Sequence, residues 1–164
     1  MSALTPSRTR AAPSPVQILA LVVGVVFLIV GFAGFIPGLT TNYESLGVAG
    51  HHSEALLLGV FQVSILHNII HLLFGLAGIF MFRSPEGGRN FLLIGGIIYL
   101  VLFVYGLIID LDSAVNFVPL NSADNRLHLG LGVAMVALSF LPSRPSASEE
   151  AYQHREDTPM TYTT

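Results

Sequence analysis

Two stretches of the chain carry the residues best suited to chemistry, and they share one pattern. Asn68-Ile-Ile-His71-Leu72-Leu-Phe-Gly75-Leu-Ala77 aligns with Asn125-Arg-Leu-His128-Leu129-Gly-Leu-Gly132-Val-Ala134 at an offset of 57 residues, both reading N-x-x-H-L-x-x-G-x-A. On a helix, Ser64, His67, Asn68, His71, Gly75 and Gly78 fall within about 60° of one line. Asn121, Asp124, Asn125, His128, Gly132 and Ser139 form the matching stripe, with Asp124 in the place of His67. His67 and His71 at i,i+4 point the same way, and with His128 and Asp124 they could supply the three-His, one-carboxylate set that zinc, iron or copper accepts. Alternatively, His71 and His128 could ligate a haem axially from two facing helices, with Gly75 and Gly132 leaving space for the macrocycle. The plainest reading is structural: Ser64, Asn68, Asn121, Asn125 and Arg126 belong to a polar cluster that joins helices, each group contributing about 0.6 to 2 kcal/mol. A third reading is a proton or small-solute relay through His67, His71, His128, Asp124 and Arg126, but the inner halves of the helices offer it no ionisable stepping stone.

The elements that must position these residues are membrane spans. With 52% apolar and 10% charged residues in 164, and a mean hydropathy of +0.70, the chain lies far from soluble composition. Its length suffices for three or four crossings but not for a separate catalytic domain of ordinary size. The absence of cysteine excludes disulfides, thiolate metal sites and Cys nucleophiles, so His, Asp, Glu or Met must hold any metal or cofactor. A net charge of -3 without a basic run argues against nucleic acid as a partner.

Hydropathy and punctuation predict helices at about 16–36, 55–82, 91–109 and 122–141, the last with Asn121 as its N-cap and Asp124 at N3. Arg8 and Arg10 imitate a signal-peptide n-region, yet the apolar stretch is long and no A-x-A site follows, which favours an uncleaved anchor. The Ser84-Pro85-Glu86-Gly87-Gly88 segment reads as a turn. Residues 1–15 form an N-terminal tail, and 142–164, rich in Pro, Ser, Thr and Glu, a disordered C-terminal one. Arginines at 8, 10, 83, 89, 144 and 155 place both termini in the cytoplasm of a cell with an inner membrane, where lipid, other membrane proteins or a second copy are the partners. Arg126 alone breaks that bias and is expected to pair with Asp124, Asp110, Asp112 or Glu54, or to snorkel outward. His51, His52 and Glu54 could bind a metal in the first outer loop, although an adjacent His pair in a Gly-rich loop is usually solvated.

The first and third helices align more weakly, at an offset of 72: Gly24 on Gly96, Phe27 on Tyr99, Leu28 on Leu100, and Gly34 on Gly106. Both alignments together suggest a duplicated hairpin with parallel copies about an axis along the membrane normal. If the second helix begins near residue 55, it must project about two turns beyond the membrane.

The stretch Phe61-Gln-Val-Ser-Ile-Leu-His67-Asn68-Ile-Ile-His71-Leu-Leu-Phe-Gly75, joined to the stretch from Asp112 to Gly130 with Asn116, Pro119, Asn121, Asp124, Asn125 and His128, resembles the domain of unknown function 4383 family of small, largely actinobacterial membrane proteins. The resemblance spans roughly Val16 to Leu141. It implies four membrane helices and a bacterial inner membrane, and it carries no catalytic role. The sequence therefore points to an all-α, four-helix transmembrane bundle of two tandem hairpins. No nucleophile, paired general bases or phosphate loop is found, which favours a non-enzymatic accessory or interaction component. The alternative is a metal- or haem-binding redox protein using His67, His71 and His128, and the third is transport.

Overall fold

The computed structural model describes residues 12–141. It contains four helices, α1 (Pro15–Ala33), α2 (Ile65–Met81), α3 (Pro85–Ile108) and α4 (Ser122–Ser139), and three two-residue strands, β1 (Thr40–Thr41), β2 (Leu56–Leu57) and β3 (Phe61–Gln62). α1 and α3 are long and apolar enough to cross a membrane; α2 is apolar but shorter. α4 is not among the long apolar helices, because Asp124, Asn125, Arg126 and His128 crowd its first turns. The tails expected at 1–15 and 142–164 lie almost wholly outside the described residues.

Local chemistry fixes the helix ends. Pro15 sits at the first position of α1, and the Gln17 side chain accepts the Ser14 amide at 2.9 Å. Gln17 Nε2 donates onward to the Phe82 carbonyl at 2.8 Å, tying the start of α1 to the end of α2. The Ser84-Pro85-Glu86-Gly87-Gly88 segment is the first turn of α3 and not a turn before it. Ser84 Oγ accepts the Gly87 amide at 3.0 Å, Pro85 occupies N1, and Glu86 faces the positive helix end.

The largest departure from expectation lies at residues 55–64, which are not helical. β2 and β3 form a hairpin in a small antiparallel sheet of order β1-β2-β3, paired Leu57 to Phe61 and Leu56 to Gln62. Three residues, 58–60, connect the strands: Leu58 and Gly59 turn the chain with φ of 53° and 70°, and the Val60 amide donates to the Leu57 carbonyl at 3.1 Å. α2 starts only at Ile65, where Ser64 Oγ accepts the His67 amide at 3.1 Å. Adding 57 to Ile65 gives Ser122, the first residue of α4, so the two helices begin at equivalent places and no projecting turns exist.

α1 packs chiefly on α2 and α3 on α4, while the two hairpins meet mainly through α1 and α3. Both hairpins close on glycine. A Cβ on Gly24 would lie 2.9 Å from the Gly75 carbonyl oxygen, and one on Gly96 would lie 2.9 Å from that of Gly132. A Cβ on Gly75 would meet Leu28, and one on Gly132 would meet Leu100, each at 2.7 Å. Gly34 leaves room for the Asn68 amide as Gly106 does for that of Asn125. Every one of these pairs recurs at the offsets of 57 and 72.

Outward, all four helices present large apolar side chains, among them Ile29, Leu73, Val101 and Val133. Inward, eleven polar or charged side chains are buried among the described residues, as many as the buried apolar ones with glycine and proline set aside. Gly96→Val is expected to cost about 1 to 3 kcal/mol, because Val136 and the Gly132 carbonyl cannot both yield to a Cβ and its two methyls. Gly130→Ala, which enters open space, should cost nothing. Denaturant midpoints of the two variants in mixed micelles check the contrast.

Candidate functional site

The polar stripes of α2 and α4 do not pack on each other. They line two cavities that share one wall, formed by His67, His71, Tyr99 and His128. The first cavity, about 110 Å³, lies between α1 and α4, with Val30 and Leu127 at its sides and Leu57, Leu58 and Phe61 of the hairpin over it. The second, about 290 Å³, lies between α2 and α3, with Leu102 and Ile70 in the corresponding positions and Phe117 and Val118 nearby. Val30 matches Leu102 and Ile70 matches Leu127 at the same two offsets, so the cavities occupy equivalent slots on opposite sides of the bundle.

Aromatic rings set the depth of the histidines. Phe27 lies 5.3 Å from His71 and Tyr99 lies 5.1 Å from His128, centroid to centroid, and Phe27 and Tyr99 stack on each other at 5.6 Å between them. His67 and His71 stack at 4.3 Å with planes 15° apart. His71 Nδ1 lies 2.9 Å from the His67 carbonyl. A carbonyl only accepts, so Nδ1 carries the proton and Nε2 of the neutral ring is the acceptor.

Four buried atoms in this region have no hydrogen-bond partner: His67 Nδ1, His128 Nδ1, Asn68 Nδ2 and Asn125 Oδ1. Their residues are 8%, 4%, 1% and 7% exposed. Buried polar atoms are almost always satisfied, and each one left alone costs about 1 to 3 kcal/mol; the two imidazoles border the cavities and mark them as a candidate site, while Asn68 and Asn125 lie against Gly34 and Gly106.

Asp124 lines the first cavity together with His67, His71 and His128, and it also does structural work. Its Oδ2 accepts the Asn121 amide and the Gln62 amide, each at 3.0 Å, which closes the helix cap and anchors β3 to α4. Asn121 Nδ2 adds a bond to the Val60 carbonyl at 2.8 Å, and its Oδ1 caps Ala123 and Asp124. As the side chains stand, no group of three or more His, Asp or Glu is placed to hold a metal ion among the described residues.

The outer residues divide similarly. Arg126 is exposed and its Nε donates to the Ser122 carbonyl at 3.1 Å; the expected ion pair with a carboxylate is not formed among the described residues, because the helical turn beneath it supplies the nearer acceptor. The rings of His51 and His52 lie 3.9 Å apart, tilted by 38°, at the rim of the connection between α1 and α2. Sequence reasoning missed Tyr99, Phe27 and Asn116. The offset of 72, which pairs Phe27 with Tyr99 beside a His pair related by 57, was the available signal for the first two. Asn116 is fully buried and binds the carbonyls of Leu111 and Leu120 and the Leu120 amide, which rigidifies the connection between α3 and α4. The Tyr105 hydroxyl bonds the Val115 carbonyl in the same connection.

Fold and site together define a helical protein of two matched hairpins around a histidine-walled cavity pair, with at least two helices suited to a membrane. Residues 17–141 match the family model described as domain of unknown function (DUF4383), and the chain belongs to that family. No curated protein and no solved structure matches it.

Asp124→Ala should destabilise the protein by about 1 to 3 kcal/mol and open the hairpin to proteolysis at Leu58-Gly59, whereas Asp124→Asn, which keeps an acceptor, should retain most of the stability. Limited proteolysis with thermal unfolding reads both effects.

Proposed function

We propose that the chain is a four-span bacterial inner-membrane protein made of two tandem hairpins, both termini cytoplasmic, and that it acts as a non-enzymatic membrane component which holds a guest or partner at its buried His/Asn/Asp cluster. The observation that carries this is the inverted distribution of polarity: apolar side chains face outward on all four helices while His67, Asn68, Asp124, Asn125 and His128 are buried. Water as the surrounding solvent would favour the opposite arrangement, and lipid cannot satisfy such groups. α2 and α4 are short for a bilayer of about 30 Å, and the polar outer caps that begin both of them fit an entry at the interface. The glycine, asparagine and aromatic pairs that recur at two offsets support the duplication.

The cluster is a binding site in this reading because it offers buried hydrogen-bonding atoms beside a cavity. Cysteines introduced singly at Ser84 and Ser113 test the topology: an impermeant maleimide should label Ser113→Cys, and not Ser84→Cys, in intact cells. The reverse pattern overturns the orientation. The redox alternative has its own test in the absorption spectrum and metal content of the purified protein. Neither a Soret band nor stoichiometric metal is expected, and either one, if lost in His71→Ala, replaces the binding role by a metal or haem role.

A further inference from the structure

The two slots beside the histidine wall are equivalent in position but not in access. The slot between α1 and α4 is covered by the β2–β3 hairpin, which Asp124 and Asn121 hold in place, and its cavity is about 110 Å³. The slot between α2 and α3 has no such cover, and its cavity is about 290 Å³. Its walls reach the apolar exterior: Ile70, Ile98 and Phe117 are 44%, 45% and 57% exposed. Resting on the membrane reading above, this cavity opens sideways toward the bilayer, and a ligand would enter from lipid.

We infer that the α2–α3 cavity binds the ring of an isoprenoid quinone, with the imidazoles of His67 and His128 donating hydrogen bonds to its carbonyl oxygens and the tail leaving past Ile70 and Ile98. Four features select that chemistry. No Asp, Glu, Lys or Arg lines the cavity, so a phosphate or carboxylate head would be buried without a counter-charge. Two imidazole rings with an unpartnered nitrogen each, on different helices, can each present an N–H to a ligand, which suits a head with a carbonyl oxygen at either end. Tyr99 and Phe117 supply aromatic surface for a flat ring. The volume lies at the small end of ligand pockets and takes a ring head while leaving a long tail outside. Binding alone is assigned, with no electron transfer.

The test uses the full chain in lipid nanodiscs and equilibrium dialysis with a naphthoquinone bearing a two-unit isoprenoid tail. Saturable binding near one per chain is expected, weakened at least tenfold in His128→Ala. Because that variant removes a core side chain, Ile98→Trp provides a second arm: it blocks the mouth from an exposed position and should weaken binding as much, while Leu127→Trp on the covered slot should not. Absence of saturable binding, or binding indifferent to Ile98→Trp, overturns the assignment. Saturable binding of phosphatidylglycerol that competes with the quinone overturns it as well, since a charged head would then be accommodated. The maleimide pattern separates the two levels: if it holds while quinone binding fails, the ligand assignment falls and the membrane architecture stands.

Discussion

The arrangement of the whole bundle depends on two places where helix backbones nearly touch, Gly24 against Gly75 and Gly96 against Gly132. Neither contact tolerates a Cβ, and their closeness fixes the rotation as well as the spacing of each helix pair. Once the rotation is fixed, other contacts lose their freedom. Asn68 must lie over Gly34, and Asn125 over Gly106. One turn away, Phe27 must meet His71 and Tyr99 must meet His128. The histidines are therefore held at a common depth by backbone geometry and ring packing, with little help from hydrogen bonds. That leaves their nitrogens available, which a site built by polar cross-linking would not.

What differs between the hairpins is the connection between their two helices. The two offsets differ by 15 residues, and that surplus is the extra length of the first connection, which contains the three short strands. The surplus packs on α1 of its own hairpin, with Ala55, Leu57 and Val63 against Val30 and Ala33, and also reaches the opposite hairpin, since β3 bonds to Asp124 and the turn bonds to Asn121. The second connection is too short to reach back in this way. It is stiffened internally by Asn116 instead. A near-symmetric helical frame thereby acquires one covered slot and one uncovered slot.

The sequence made much of this frame legible. Polar stripes on α2 and α4 were readable because buried polar side chains in an apolar chain stand out against their neighbours, and helical periodicity collects them on one face. The hairpin at 56–62 was not readable from hydropathy, since Leu56-Leu57-Leu58 and Val60-Phe61 extend the apolar run of the helix that follows. Its sheet is held by long-range bonds from residues 39–41 and 121–124, which no local window contains. Yet the repeat contained the correction. Ser64 aligns with Asn121, both are cap-forming residues, and applying the offset of 57 to the helix start places it at Ile65. Periodicity located the face, and the repeat was the better guide to the boundary.

Equivalent positions also show how one scaffold separates structural work from binding. His67 and Asp124 both occupy N3 of their helices, one turn inside the cap. At Asp124, the hairpin brings the Gln62 amide within 3.0 Å, so the carboxylate closes a cap and holds a strand. At His67 the cap is closed by Ser64 Oγ alone, and the imidazole, with nothing from the second connection to bind, turns to the cavity. Asp124 thus lines the covered slot with the three histidines and does not line the uncovered one. Filling one slot with hairpin removes the carboxylate from the chemistry of the other, which leaves a neutral, imidazole-lined recess suited to uncharged acceptors.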